Sequence, residues 1–491
     1  MALILLVASL SVSALATPHV LFIAVDDLND WIGCLKGHPQ AHTPNIDRLA
    51  SRGTLFTNAH CAAPACNPSR AAVFSGRLPA VTKVWSNSSG SIDKLYQGTP
   101  LIPASFKKAG YQTLGTGKLL HGGGKAHFDT YYTTDQRWSP FTKNAVAYTA
   151  AELPTKGTDA PRHTLADRFG RQVTLPLNRM PSDRRPTVPS GESFDWGGFD
   201  LPDKDFGDTR ITDWAIAQLQ QISDTPTFLA VGYYRPHIPL WAPQRFFDRF
   251  KREPGKLPPV KDNDLDDLSE VAKRWAREPI TAGSHATVVK HDQWQAAVEA
   301  YLACITYVDH EIGRLLDTLE NSPHGKNTLI ILWSDHGWHL GEKEHWRKWT
   351  GWERSTRVPL MIVPPTRLPG FAVGARCDQP VSLIDLYPTL TEICSLPNPG
   401  NLDGQSLVSL LRNSRTVEPR PVITYFDPGN KSLRTHRWRY IRYQDGSEEL
   451  YDLRNDPHEW HNLAPNPSFS QVKTSLAQLL NRDQDQSSRP Q

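Results

Sequence analysis

Hydrophobic residues in this chain fall in short unbroken runs separated by longer amphipathic stretches. Residues 19–25 (HVLFIAV), 227–232 and 327–333 (NTLIILW) place apolar, often β-branched side chains at consecutive positions. Such runs predict strands buried on both faces, the pattern of a parallel sheet. Residues 54–57, 111–115 and 358–363 read as further strands. Helical signals lie between them. Thr43 caps 44–50, with Gly53 as the stop, and Gly110 ends 101–109. Residues 209–221 and 383–394 are also helical. The longest helix is predicted over 294–319, where Ala297, Tyr301, Ile305, Val308, Ile312, Leu315 and Leu319 recur on one face. The fold class is therefore α/β, a mostly parallel central sheet flanked by helices.

The pattern changes near residue 412. Residues 421–426, 433–443 and 449–453 are short strand-like runs, with a polar turn at Asp445-Gly446. They predict a smaller C-terminal α+β subdomain carrying an antiparallel sheet and ending in a helix. The expected division is 1–16 as a leader, 17–411 as the main domain and 412–491 as the C-terminal subdomain. Residues 139–208 are rich in Pro, Gly and charge, and read as an insertion that shapes a pocket rim. Residues 261–267 read as a solvated, mixed-charge face.

Composition adds little beyond this. The chain has 491 residues, 39% hydrophobic and 21% charged, with a formal net charge of +3. That charge is too small to imply a nucleic-acid partner by itself, and none is expected. Residues 1–16 carry no charge and end Ala14-Leu15-Ala16, the pattern of a cleaved signal peptide. No other run approaches the ~20 apolar residues of a membrane span. The expectation is export to a periplasm or the cell exterior, with no stable membrane anchor. With Cys66 set aside, five cysteines remain, so at least one of them is unpaired.

Candidate chemistry gathers at strand ends. Asp26-Asp27 follows the first strand and Asp335-His336 follows 327–333, where open α/β sheets hold ligands. Like charges so close call for a cation between them. Cys66-Asn67-Pro68-Ser69-Arg70 opens a small, apolar, helix-like run that stops at Gly76. A helix start receives an anion or a reactive nucleophile. Arg70, and Arg77 further on, add positive charge. Lys118 and His121 would share one face of a helical turn. His237 lies between two prolines at a strand end, pre-positioned for proton transfer. The loop after His336 carries Arg347 and Lys348. Carboxylates with a hard cation point to Ca²⁺ or Mg²⁺. With Arg70, Lys118 and Lys348 around a tetrahedral anion, the reaction class is sulfuryl or phosphoryl transfer. In the C-terminal strands, Lys431, Arg434, Arg437, Arg439 and Arg442 lie beside Trp438 and Tyr440, a composition suited to a sulfated or carboxylated sugar chain or to single-stranded nucleic acid, with an edge strand protected by charge as the simpler alternative.

The segment from Cys66 to Arg77, CNPSRAAVFSGR, closely resembles the signature of the type I sulfatases of the alkaline phosphatase superfamily. Val25-Asp26-Asp27, Pro44-Asn45-Ile46-Asp47, Gly117-Lys118, Ser334-Asp335-His336-Gly337 and Leu450-Tyr451-Asp452-Leu453 follow in the family's order. The stretches VDDLNDWIGCLKGHP, RPHIP, FDWGGFDLPD and SDHGWHLGEKEHWRKW are most similar to the iduronate-2-sulfatases.

The resemblance implies an alkaline-phosphatase-like fold and a sulfuric ester hydrolase. It implies that a formylglycine-generating or sulfatase-maturing enzyme oxidises Cys66 to formylglycine. One hydroxyl of the hydrated aldehyde would attack sulfur, and the other would assist sulfate release. Asp26, Asp27, Asp335, His336 and the modified Cys66 would ligate Ca²⁺ or Mg²⁺. Arg70, Lys118 and Lys348 would stabilise the sulfate, His121 would serve the formylglycine hydroxyls, and His237 is the candidate general acid. Many sulfatases have Asn where this chain has His336; the iduronate-2-sulfatase branch shares the His. The implied substrate is a sulfated oligo- or polysaccharide, with Arg437 or Arg439 as candidates for a sugar carboxylate. Alternatives are an algal-polysaccharide sulfatase, a phosphodiesterase or phosphonate monoester hydrolase of the superfamily, and a non-catalytic sulfated-glycan-binding protein.

Overall fold

The computed structural model describes residues 17–134, 140, 163–166, 172–180, 193–278, 284–417 and 420–487. The leader expected at 1–16 and much of the insertion expected at 139–208 lie outside the described residues.

The central sheet is built from β1 (His19–Asp26), β2 (Thr54–His60), β3 (Gln112–Gly117), β4 (Thr130–Tyr132), β5 (Thr227–Pro236), β6 (Thr328–Ser334), β7 (Arg357–Val363) and β8 (Ala375–Cys377). Their order is β8-β2-β7-β6-β1-β5-β3-β4, with Val381–Ser382 also pairing on β2. β7 runs antiparallel to β6 and β2, and the other pairings of this sheet are parallel. β2 therefore points the same way as β1 and β6, so the segments that follow all three leave from one edge.

β1 is buried along its whole length, which explains its lack of polar alternation. Leu21, Ile23 and Val25 enter one core with the long helix α5 (Trp294–Glu320). Val20, Phe22 and Ala24 enter the opposite core. That second core includes residues of α2 (Cys66–Ser75), α3 (Ile102–Lys108) and α6 (Leu386–Ile393). α1 (Pro44–Ala50) and α4 (Gly207–Leu219) join α5 on the first face. Thr43 stands at the N-cap of α1 without a side-chain cap bond. Its hydroxyl accepts from the Gly33 amide and donates to Asp47, while Asp309 of α5 accepts from the α1 amides of Asn45 and Ile46. The cap expected from Thr43 is thus supplied from another helix.

A four-stranded antiparallel meander follows: β9 (Val422–Asp427), β10 (Asn430–Arg434), β11 (Trp438–Arg442) and β12 (Glu448–Asp452). The single run expected over 433–443 is two strands, because Thr435 closes a turn in which its amide and hydroxyl both pair with Trp438. Leu476 and Leu480 of α7 (Ser470–Ser487) cover Leu433, Tyr440 and Leu450. Residues 261–267 are a strap rather than a solvated face. Lys261 donates to the Trp460 carbonyl, Asp264 is buried against Lys343, and Leu265 enters the core around Trp352. Among the described residues, all six cysteines are free, and no helix is long and apolar enough to cross a membrane.

Candidate active site

The strand ends converge as their register requires. Val25 of β1 pairs with Ser334 of β6 and Tyr233 of β5, and Gly117 of β3 pairs with Gly232 of β5. Asp26, Asp335, Lys118 and His237 thus emerge along one edge. Gly117 has φ 72°, and a Cβ there would sit 1.9 Å from the Gly232 carbonyl oxygen. Only glycine lets these two backbones touch, and the contact turns Lys118 inward.

Cys66, the first residue of α2, is buried at the centre. Its Sγ lies 2.9 Å from Lys348 Nζ, 3.3 Å from Lys118 Nζ, 3.4 Å from His336 Nε2 and 3.9 Å from Asp27 Oδ1. Burial opposes ionisation of this thiol. Lys118, Lys348 and His336, with a hydrogen bond from His121, outweigh it and hold the thiol well below its usual range. Lys348 also reaches Asp27 Oδ1 at 2.7 Å, and Lys118 pairs with Asp26. Burial pulls the Lys348 ammonium down, but Asp27, Cys66, Asp26 and Asp335 raise it above the usual lysine range. Burial pushes the Asp335 carboxyl up, against the pull of Arg70 and His336. His237 is half-buried, with Nε2 3.8 Å from Asp27 Oδ2.

Arg70 does not present a free cation to an incoming anion. It is fully buried, with Nε 2.7 Å from Asp335 Oδ2, Nη2 3.2 Å from Asp26 Oδ1 and Nη1 on the carbonyls of Lys118 and Leu119. Its fork holds the two carboxylates in place. Arg77 lies past the far end of α2, paired with Asp403, and contributes nothing at the Cys66 end.

A sulfatase family model matches residues 18–395, and an N-sulphoglucosamine sulphohydrolase C-terminal model matches 341–486. The chain is 34% identical over 469 residues to a sulfatase of Formosa agariphila, covering 94% of this chain and 86% of that one. It is 30% identical over 424 residues to mouse iduronate 2-sulfatase, covering 79% and 70%. This chain belongs to the sulfatase family. Its fold is also that of a phosphonate monoester hydrolase of Agrobacterium radiobacter, with TM-score 0.74 at 21% identity and coverage of 96% of both chains.

The sulfatase is accordingly a sulfuric ester hydrolase, and its donor set fits a cation. One ligand atom each from Asp26, Asp27, Cys66 and His237 lies within 4.8 Å of the others, as does one each from Asp26, Cys66, Asp335 and His336. Asp27 Oδ2 is buried without a hydrogen-bond partner. A buried carboxylate oxygen left unpaired is costly, and a hard cation would satisfy it.

Several features of this sulfatase differ from the expectations. Lys118 and His121 lie on a bend rather than a helical turn, and His121 is exposed. Arg439 is fully buried, bonded to Glu353, Glu459 and Ser432. Arg437 makes a bidentate pair with Asp452. Lys431 and Arg434 are also buried. Arg434, Arg437 and Arg439 are thus engaged with carboxylates, although the Arg437 side chain is 42% exposed. Arg434 and Arg439 share Glu353 and so tie the meander to the loop after Lys348, where Ser432 also donates to the Gly351 carbonyl at 2.6 Å and Trp352 to Glu449 at 2.7 Å.

Sequence reasoning missed the supports around the site. Ser69 donates to the Asp335 carbonyl at 2.5 Å, and Ser334 accepts from the Leu28 amide while donating to the His336 carbonyl. The Lys348 ammonium lies over the Trp338 ring, 5.5 Å from its centroid. Asp208 accepts from the Tyr234 and Arg235 amides and so anchors the segment that carries His237. Ser69 and Ser334 sit inside the recognised motifs and carried a signal. Asp208 lies in an unremarkable helix start and carried none.

Proposed function

We propose that this enzyme removes sulfate from a sulfated, uronate-containing saccharide, with iduronate-2-sulfatase-like specificity. The observation that carries the proposal is the convergence of Lys118, Lys348 and His336 on Cys66 Sγ, within 3.4 Å, beside three buried carboxylates. The saccharide class rests on the likeness to mouse iduronate 2-sulfatase, whose name states its substrate.

In this proposal Cys66 is the precursor of formylglycine, and its Sγ marks where a nucleophilic oxygen would stand. Asp26, Asp27, Asp335 and His336 hold a divalent cation, Ca²⁺ by preference and Mg²⁺ as the alternative. When bound, that cation supplies positive charge that favours an ionised hydroxyl and offsets the charge of the sulfate. Lys118 and Lys348 balance the charge growing on the sulfate oxygens, in a site where burial makes each contact strong. Arg70 keeps the Asp26 and Asp335 carboxylates in register. His237, half-buried and near Asp27, protonates the leaving alcohol. His121 serves proton transfer at the modified residue. Export through residues 1–16 and maturation by a partner enzyme belong to the same proposal.

The test is a panel of defined sulfated oligosaccharides, an aryl sulfate and an aryl phosphonate, assayed alongside peptide mass analysis at Cys66. Release of sulfate from a uronate 2-O-sulfate by aldehyde-bearing protein is the expected result. Turnover of the phosphonate alone, or an unmodified thiol in fully active protein, would reject it.

A further inference from the structure

Asp27 is the one residue of the site whose backbone is held in the left-handed region, with φ 61°, and it is fully buried. Asp adopts this conformation more readily than most residues with a Cβ, yet it stays less favourable than ordinary φ, and in this buried turn the surrounding contacts hold it. Three contacts do. The Asp27 amide donates to Asp335 Oδ1 at 3.1 Å, and the Leu28 amide donates to Ser334 Oγ at 3.0 Å. The third comes from outside the motifs. Tyr301, on α5, donates its hydroxyl to the Asp27 carbonyl at 2.7 Å and accepts from the Asn29 amide at 2.9 Å. One phenol oxygen therefore bridges residues 27 and 29 and locks the turn between them.

We infer that Tyr301 is a positioning residue for the cation site, holding the backbone of Asp27 so that its Oδ2, which has no hydrogen-bond partner, faces the cation. The inference rests on the metal reading given above. Tyr301 is fully buried, and its ring packs edge-on against Trp31 at 5.6 Å, so the hydroxyl is aimed by a rigid wall. Without it, a buried carbonyl and a buried amide both lose a partner. The turn then relaxes toward ordinary φ, and the Asp27 carboxylate swings with it. Asp27 also receives Lys348 and lies 3.3 Å from His336, so the displacement is felt by the whole ligand set.

Tyr307 supplies the control. It lies on the same helix, is equally buried, and spends its hydroxyl on the Thr209 amide and side chain rather than on the Asp27–Asn29 turn. The full chain is prepared as wild type, Tyr301→Phe and Tyr307→Phe. Ca²⁺ affinity is measured by competition with a chromophoric chelator, and thermal stability is recorded without added metal. Tyr301→Phe should weaken Ca²⁺ binding about tenfold or more, while Tyr307→Phe loses comparable stability and binds Ca²⁺ as wild type does. Saturating Ca²⁺ should restore much of the aryl-sulfatase rate of Tyr301→Phe. Wild-type affinity in Tyr301→Phe, or equal weakening in both variants, overturns the inference. Failure of the wild type to bind Ca²⁺ or Mg²⁺ overturns the metal reading and the inference with it.

Discussion

Lys348 Nζ meets Asp27 Oδ1 at 2.7 Å although 321 positions separate the two residues in the chain. Both ends of this contact sit on constrained backbone. Asp27 has φ 61°, and Lys348 is flanked by Arg347 at φ 126° and Trp349 at φ 79°. Strained backbone persists where surrounding contacts over-determine it, and here it delivers a cation and an anion to the same sulfur. The Trp349 amide donates to the Pro64 carbonyl at 3.0 Å, which fixes the Lys348 loop against the segment that leads into Cys66.

Replacing Lys348 should reveal how much of the rate depends on this charge. Lys348→Ala is expected to lower kcat/KM for an aryl sulfate by roughly 10²–10³-fold, the cost of one pre-organised donor in a buried site. Steady-state kinetics on the folded variant measure it. A loss confined to KM would instead mean that Lys348 only binds substrate.

Arg70 is predicted to be structural as much as catalytic. Arg70→Ala leaves Asp26 and Asp335 buried without their shared counter-ion, and unfolding free energy should fall by about 3–5 kcal/mol. Urea denaturation at unchanged m-value tests this. A stability within experimental error of wild type would place Arg70 outside the support of the carboxylates.

Cys66→Ala should fold normally and be almost inert. The side chain is buried at the start of α2, but the thiol is not needed to complete the core. Activity is expected to drop by roughly a thousandfold or more, as when a nucleophile is removed. Near-UV circular dichroism checks the fold. Retained turnover would show that the reaction does not pass through this residue.

Removal of divalent metal should reduce both rate and melting temperature. A ligand at 100 times its dissociation constant contributes about 2.7 kcal/mol to stability. Chelation followed by dialysis should lower the melting temperature, and added Ca²⁺ should return both rate and stability, with Mg²⁺ as the comparison. Indifference of both readouts to chelator would contradict a cation held by Asp26, Asp27, Asp335 and His336.

The core strand β1 gives a prediction about the fold alone. Phe22 is fully buried and packs on Phe74, Phe228 and Trp333. Phe22→Ala should cost about 3–5 kcal/mol by the cavity it leaves, measured as a fall in the urea midpoint. A cost below about 1 kcal/mol would mean that the second face of the sheet repacks freely.

Local sequence determined much of this protein. Unbroken apolar runs made β1, β5 and β6 into core strands, because a strand covered on both faces has no position for a polar residue. The same logic put Asp26, Asp27, Asp335 and His336 at strand ends, and the Cys66 motif carried the family. Tertiary structure decided what each charge does. Arg70 and Arg439 read alike as cations ready for an anion, yet the fold buries each one against carboxylates from other segments. Tyr301 read as one apolar-face residue of a helix, yet its hydroxyl reaches the Asp27 backbone 274 positions away. Spacing along the chain reports which face a residue shares with its neighbours. It does not report which oxygen or nitrogen from another element fills its hydrogen bonds: Lys118 and Lys348 pair with carboxylates and also reach Cys66 Sγ, whereas the Arg70 fork is spent on Asp26, Asp335 and two backbone carbonyls.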